Sequence, residues 1–186
     1  MKESNINMSK EMSLTLVQAV SMGATNERRK KINNLETDML QEEQVDIPVE
    51  HRFSGGIYAR EITIPKGTLL TGRIHKFDHF DIMLSGDVTV STDNGEVKRL
   101  VGLNIMEGKA GKKRAGYTHE ETHWITFHSA EERDTEEMYE FLTCGSFQEL
   151  DDFNLMLENA IAQIEHDEKV LVDHAKSICH KEEECQ

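Results

Sequence analysis

The chain has 186 residues, 37% of them hydrophobic, and carries 21 Lys or Arg against 35 Asp or Glu, a net charge of −14 with His neutral. That length suits one domain with appendages and a core large enough to stand without disulfides or a structural metal. The acidity argues against a nucleic-acid backbone as partner, and no apolar run is long enough for a membrane-spanning helix.

Residues 1–48 read as an N-terminal helical extension, in which Ile32, Leu35, Met39 and Leu40 share one face. The preceding Arg28-Arg29-Lys30-Lys31 is read as a solvated helix face, and the opening MKESNINMSKEMSLTL lacks an apolar signal core. Eleven of the twelve glycines then fall between Gly55 and Gly145, with Pro48 and Pro65 at the start of the same stretch. Glycine and proline punctuate turns, so residues 49–145 are expected to hold many short elements. Candidate strands run over 57–64, 68–76, 80–84, 87–90, 96–101, 103–107 and 122–128, and Asp93-Asn94-Gly95 is a hairpin turn. The fold class is therefore mainly β, an antiparallel barrel or sandwich with helices confined to the two ends.

From residue 146 the pattern changes. Leu150, Leu157, Ile164, Leu171 and Ile178 recur every seven residues, widened by Phe153, Ala160, Ile161 and Ala175. Ser146 with Glu149 matches a capping box, so a long amphipathic helix is expected from Phe147 to His180. This segment, 146–186, holds 3 basic and 11 acidic residues. Its stripe either packs on the chain's own barrel or joins subunits; its length favours a homo-oligomer, most simply a dimer. Cys144, Cys179 and Cys185 have no metal-type spacing, which suggests free thiols in a reducing cytoplasm.

Six of the nine histidines lie in the strand-rich part: His51, His75, His79, His119, His123 and His128. His75 and His79 end one strand and begin the next, and His119 and His123 flank the Trp124 strand. Strand edges distant in sequence converge inside a barrel, where imidazole is the commonest metal ligand, although surface histidines are the plainer reading. Asp78 and Asp81 are either partners for an imidazole N–H or turn residues. The segment Gly108-Lys109-Ala110-Gly111-Lys112-Lys113-Arg114 gathers four basic side chains in an acidic chain, either a phosphate cradle or a solvated hairpin. It lacks the P-loop spacing, no Gly-x-Ser-x-Gly elbow occurs, and Cys144 has no basic neighbours in sequence. Tyr58 and Arg60 share a strand face, and Trp124 is core or pocket wall.

The spacing Gly67-x5-Arg73-x-His75-x3-His79-x6-Gly86 resembles the first cupin motif, and Gly108-x5-Arg114-x-Gly116-x2-His119-x3-His123 has the spacing of the second. Arg73 stands at the family's first His ligand, His79 at its Glu, Arg114 at its Pro and His123 at its Asn. Residues 50–130 are further similar, through Tyr58-Ala59-Arg60-Glu61, Thr71-Gly72-Arg73-Ile74-His75-Lys76 and Thr122 to His128, to small cupin-domain proteins of tailed bacteriophages and prophages.

That resemblance implies a cupin jelly roll in the cytoplasm of an infected bacterial host. It implies a divalent metal (Fe, Zn, Ni or Mn) held by His75, His79 and His119. An all-imidazole site favours anionic ligands, and an inward Arg73 attracts a carboxylate or phosphate. A small anionic ligand is expected against Arg73, Arg114, Tyr58, Arg60, Lys112, Lys113, His123 and Trp124. Two rival functions are a metal-free binding module for a phosphorylated metabolite or nucleotide signal, and a structural module of phage assembly.

Overall fold

The computed structural model describes residues 3–131 and 134–183, with side chains through residue 172. The chain divides into two compact units, the first ending at Phe147 and the second beginning at Gln148.

The first unit opens with a short strand, β1 (Ser4–Asn7), and two helices, α1 (Lys10–Ser21) and α2 (Thr25–Met39). Ser9 caps α1 by accepting from the Met12 backbone N–H, which satisfies one of the donors every helix start leaves open. Val17 and Val20 of α1 and Ile32, Leu35 and Met39 of α2 are buried. Leu40 is not: it lies past the helix and is 37% exposed, and Glu36 takes the inward position beside it.

The strands follow as β2 (Val49–Ser54), β3 (Ile57–Ile64), β4 (Thr68–Thr71), β5 (Ile74–His75), β6 (His79–Ser91), β7 (Val97–Val101), β8 (Asn104–Gly108) and β9 (Ala115–Ser129). A helix, α3 (Thr135–Leu142), capped by Asp134, leads into β10 (Thr143–Cys144). All pairings are antiparallel. β6 and β9 lie side by side at the centre; β9 carries β4 and then β3 on its other edge, and β6 carries β8 and then β7. β1 extends the sheet beyond β4, β2 extends it beyond β3, and β5 and β10 form a separate small pair. The expected mainly β architecture, with helices at the chain's ends, is what forms.

Several details differ from the sequence expectation: β2 is an added strand, 68–76 breaks into β4 and β5, and the strand expected over 122–128 begins at Ala115. The segments 80–84 and 87–90 are one strand, because Gly86 at φ 120° absorbs an irregular register; a Cβ there would stand 2.6 Å from the Thr122 Cα. β1 draws the N-terminal segment into the sheet, and α3 stands inside the span read as barrel. The hairpin forms as expected, with Gly95 at φ 88° between β6 and β7. One core cluster gathers Met83, Val88 and Leu100 with Val90, Met106 and Trp124; another, beside α3, gathers Tyr58, Ala130, Met138 and Leu142 with Phe53 and Phe77.

The second unit is the body of α4 (Phe147–Glu183). Along it Leu157, Ile164 and Leu171 are exposed, as are Leu155, Met156, Ile161, Val170 and Val172. The expected stripe members Ala175 and Ile178, and Cys179 and Cys185, lie outside the described side chains. Among the described residues no helix is long and apolar enough to cross a membrane.

Candidate metal centre and ligand cavity

Three imidazoles meet inside the sheet. One ring nitrogen each from His75, His79 and His128 lies within 4.8 Å of the others. His75 ends β5, His79 begins β6 and His128 stands near the end of β9, so three separate strands supply them. The His75 and His79 rings stack at 4.0 Å between centroids, and His75 Nδ1 lies 3.0 Å from His128 Nε2. Burial first, then the neighbouring His79 and His128, holds the His75 pKa down at about 3. Burial and then His79 hold His128 down to about 4. Both rings are therefore neutral near pH 7, the form that binds a metal.

His79 is oriented from both sides. Its Nδ1 donates to the Phe77 carbonyl at 3.1 Å, because a carbonyl oxygen only accepts, and this leaves Nε2 as the open nitrogen. Nε2 faces the Asp81 carboxylate at 3.5 Å. Asp81 is itself fixed by the Trp124 indole N–H at 3.0 Å and the Thr126 hydroxyl at 2.8 Å. Burial pushes the Asp81 pKa up, but a protonated His79 donating from Nε2, joined by the Trp124 and Thr126 donors, outweighs it and holds it at about 2. Nε2 and the carboxylate are positioned to hold a cation between them, either a second proton on His79 or a metal ion. His128 turns its Nε2 to the group, 3.0 Å from His75 Nδ1, while its Nδ1, like that of His119, is buried without a hydrogen-bond partner among the described residues. Three imidazole nitrogens and an adjacent carboxylate fit a divalent metal.

The structure corrects the third member of the expected triad. His119 is not in the group; its Nε2 meets the Thr89 hydroxyl at 2.7 Å and its ring stands edge-on to Tyr117. His119 and His128 are nine residues apart on one strand, roughly 30 Å of extended chain, so both cannot meet His75. Trp124, Thr126 and His128 alternate on one face of β9, which puts His123 on the other; its side chain is 40% exposed and lies 3.8 Å from Glu121. His123 is therefore not a cavity residue.

A cavity of about 140 Å³ adjoins the imidazoles and is lined by His75, His79, Asp81, Arg60, Arg73, Arg114 and Trp124, with Ile62, Ile64, Leu70, Val88 and Val90 as apolar wall. Arg73 does point inward, but its Nε donates to Thr143 Oγ1 at 2.9 Å and its guanidinium stacks on Tyr139 at 4.2 Å. Arg114 faces Asp81 at 3.7 Å, and Arg60 donates to Glu3 at 2.9 Å. Lys112 lines the cavity and pairs with Asp93. Lys113 does not reach it, being buried in an ion pair with Glu36 of α2 at 2.6 Å. Tyr58 is also outside the lining: it packs in the cluster beside α3 and its hydroxyl meets His51 Nδ1 at 2.7 Å. Asp78 is a turn residue, bound to Lys109 and the Ala110 N–H.

No family model matches the sequence, and no curated protein matches it. Solved structures do resemble the fold. An acetylacetone dioxygenase from Acinetobacter johnsonii matches at a TM-score of 0.39 and 11% identity, over 45% of this chain and 59% of that one. A cupin superfamily protein from Desulfitobacterium hafniense matches at 0.40 and 11%, over 50% of this chain and 86% of that one. An RmlC-like cupin with a double-stranded β-helix fold from Methanocaldococcus jannaschii matches at 0.39 and 14%, over 46% and 81%. This chain spans about three fifths of the Acinetobacter protein's length.

Proposed function

We propose that the chain is a cupin-type protein, of the kind encoded by tailed bacteriophages, that holds one divalent metal through His75, His79 and His128 and binds a small anionic molecule in the adjoining cavity. The convergence of three ring nitrogens within 4.8 Å carries this reading. Iron, zinc, nickel or manganese all accept three imidazoles and leave positions for water or ligand. The cavity's guanidinium groups favour an anion, and its apolar wall favours a ligand with a hydrocarbon part. Metal supplied there would polarise a bound ligand or water; the protein's own part is to keep His75 and His128 neutral, orient His79 through Phe77 and Asp81, and exclude bulk water.

Elemental analysis beside native mass spectrometry tests the reading. The purified chain is expected to carry one metal ion, His128→Ala to lose it and His119→Ala to keep it. Loss in His119→Ala with retention in His128→Ala would reverse the assignment, and no retained metal in any form would remove the metal centre.

We also propose that the chain self-associates through α4, with a second copy of the same helix as the occupant of its apolar positions. A seven-residue recurrence fits another helix of the same periodicity.

A further inference from the structure

The cavity holds three guanidinium groups, and they are held in different ways. Arg73 is fixed by Thr143 and Tyr139, which belong to β10 and α3, and Arg114 faces Asp81 in β6. Arg60 is held by neither kind of framework. Among the described residues its ion-pair partner is Glu3, which precedes the first residue of β1 and itself lines the cavity. The two side chains are 17% and 26% exposed, so a carboxylate from the terminal segment is inserted, partly buried, into the cavity.

Around that carboxylate the cavity is arranged as a receptor for one. Arg60, Ile62 and Ile64 alternate on one face of β3, giving a cation followed by an apolar wall. Val88, Val90 and Trp124 face the same space. A cavity of about 140 Å³ is close to the roughly 150 Å³ that admits a benzene-sized molecule. The planar fork of a guanidinium matches a planar carboxylate, and the apolar wall beside Arg60 favours an acid that carries a hydrocarbon body over inorganic phosphate.

We propose that Arg60 is the carboxylate-binding residue of this cavity, that its ligand is a small carboxylic acid with an apolar body, and that Glu3 occupies the carboxylate position until the ligand displaces it. This rests on reading the cavity as the binding site and holds with or without metal. Glu3 acts as a tethered competitor, so the ligand binds with an affinity reduced by the fraction of molecules in which Glu3 is seated.

Trp124 is the chain's single tryptophan and lines the cavity, so its fluorescence reports occupancy directly. The full chain is titrated with sodium butyrate and, separately, with inorganic phosphate. Butyrate is expected to give a saturable change and phosphate a much weaker one. Glu3→Gln is expected to tighten butyrate about fivefold, the scale of releasing a partly exposed ion pair. Arg60→Gln is expected to weaken it at least tenfold, and in that background Glu3→Gln has no further effect. Arg60→Lys, which keeps the charge without the fork, should fall between and guards against a folding defect in Arg60→Gln. Unchanged or weaker butyrate binding in Glu3→Gln, unchanged binding in Arg60→Gln, tighter binding of phosphate than of butyrate, or no saturable response in any form would each overturn the proposal. Metal content of the same samples, as purified and after incubation with excess zinc, reads the imidazole cluster separately: the butyrate pattern in protein that takes up no metal ion removes the metal reading and sustains this one.

Discussion

At Gly108 the absence of a side chain makes room for His79. The two residues face each other across β6 and β8, and a Cβ at 108 would lie 2.0 Å from the His79 Nε2. Gly108→Ala therefore has to push the imidazole out of the cluster, at about 1–3 kcal/mol for an overpacked site. Expected outcomes are a metal content well below one ion per chain and a lowered urea midpoint; full metal content with unchanged stability would show that His79 has another place to sit. Motif spacing was enough to single out His75, His79 and the inward Arg73. It misled at His119, because spacing carries no information on how far a strand runs or which face it presents. The alternation Trp124, Thr126, His128 held that information: once Trp124 is taken as a pocket wall, His128 shares its face. Glu3 carried no such signal, since a lone carboxylate near a terminus looks like any solvated residue.

Among the elements, α2 is tied to the strands through a charge. Glu36 and Lys113 are each 2% exposed and 2.6 Å apart, and Glu36 also accepts from the Thr71 hydroxyl at 3.1 Å. Removing one partner of a buried pair strands the other's charge, at about 3–5 kcal/mol, whereas replacing both with apolar groups is often nearly neutral. Lys113→Met is thus expected to lower the urea unfolding free energy by about 3 kcal/mol, and Lys113→Met with Glu36→Leu to recover most of it. A cost below about 1 kcal/mol for the single variant would mean that water reaches the pair. The periodicity of Ile32, Leu35 and Met39 foretold α2 and its buried face, but a charged residue on that face is invisible to hydrophobic periodicity. The same holds for Lys113, whose basic neighbours suggested a ligand loop, and for α3, whose eight residues show too little period to stand out. The antiparallel barrel itself was legible from the glycine distribution, the strand periodicity and the two registered motifs.

For the whole molecule, acidity acts in one direction. His75 and His128 are held at about 3 and 4 in the folded chain and titrate near 6.5 when unfolded. Between those values the unfolded chain binds more protons, so their effect is to lower stability as pH falls below about 6.5. Asp81, held at about 2, adds stability above its unfolded value near 3.8 that is lost as pH falls through about 2. The urea midpoint is expected to be lower at pH 5 than at pH 7.5, and more steeply so in the zinc-loaded form, because protons compete with the ion for the same nitrogens. A flat profile would show that the imidazoles are solvated. Association through α4 is tested by light scattering on the full chain at tens of micromolar: a dimer is expected, and Leu157→Lys with Ile164→Lys should yield a monomer. A monomeric parent chain would refute the helix-to-helix seam.

One consequence of β9 concerns synthesis. It is the last long strand to be made, yet β3, β4 and β6 all pair with it. As the chain leaves the ribosome, those three strands emerge with open edges and have no middle until residues 115–129 arrive. Exposed edges template unwanted pairing with other chains. The interval before β9 appears is therefore when the nascent protein most needs a chaperone, and translation arrested just before residue 115 would leave a product prone to aggregate.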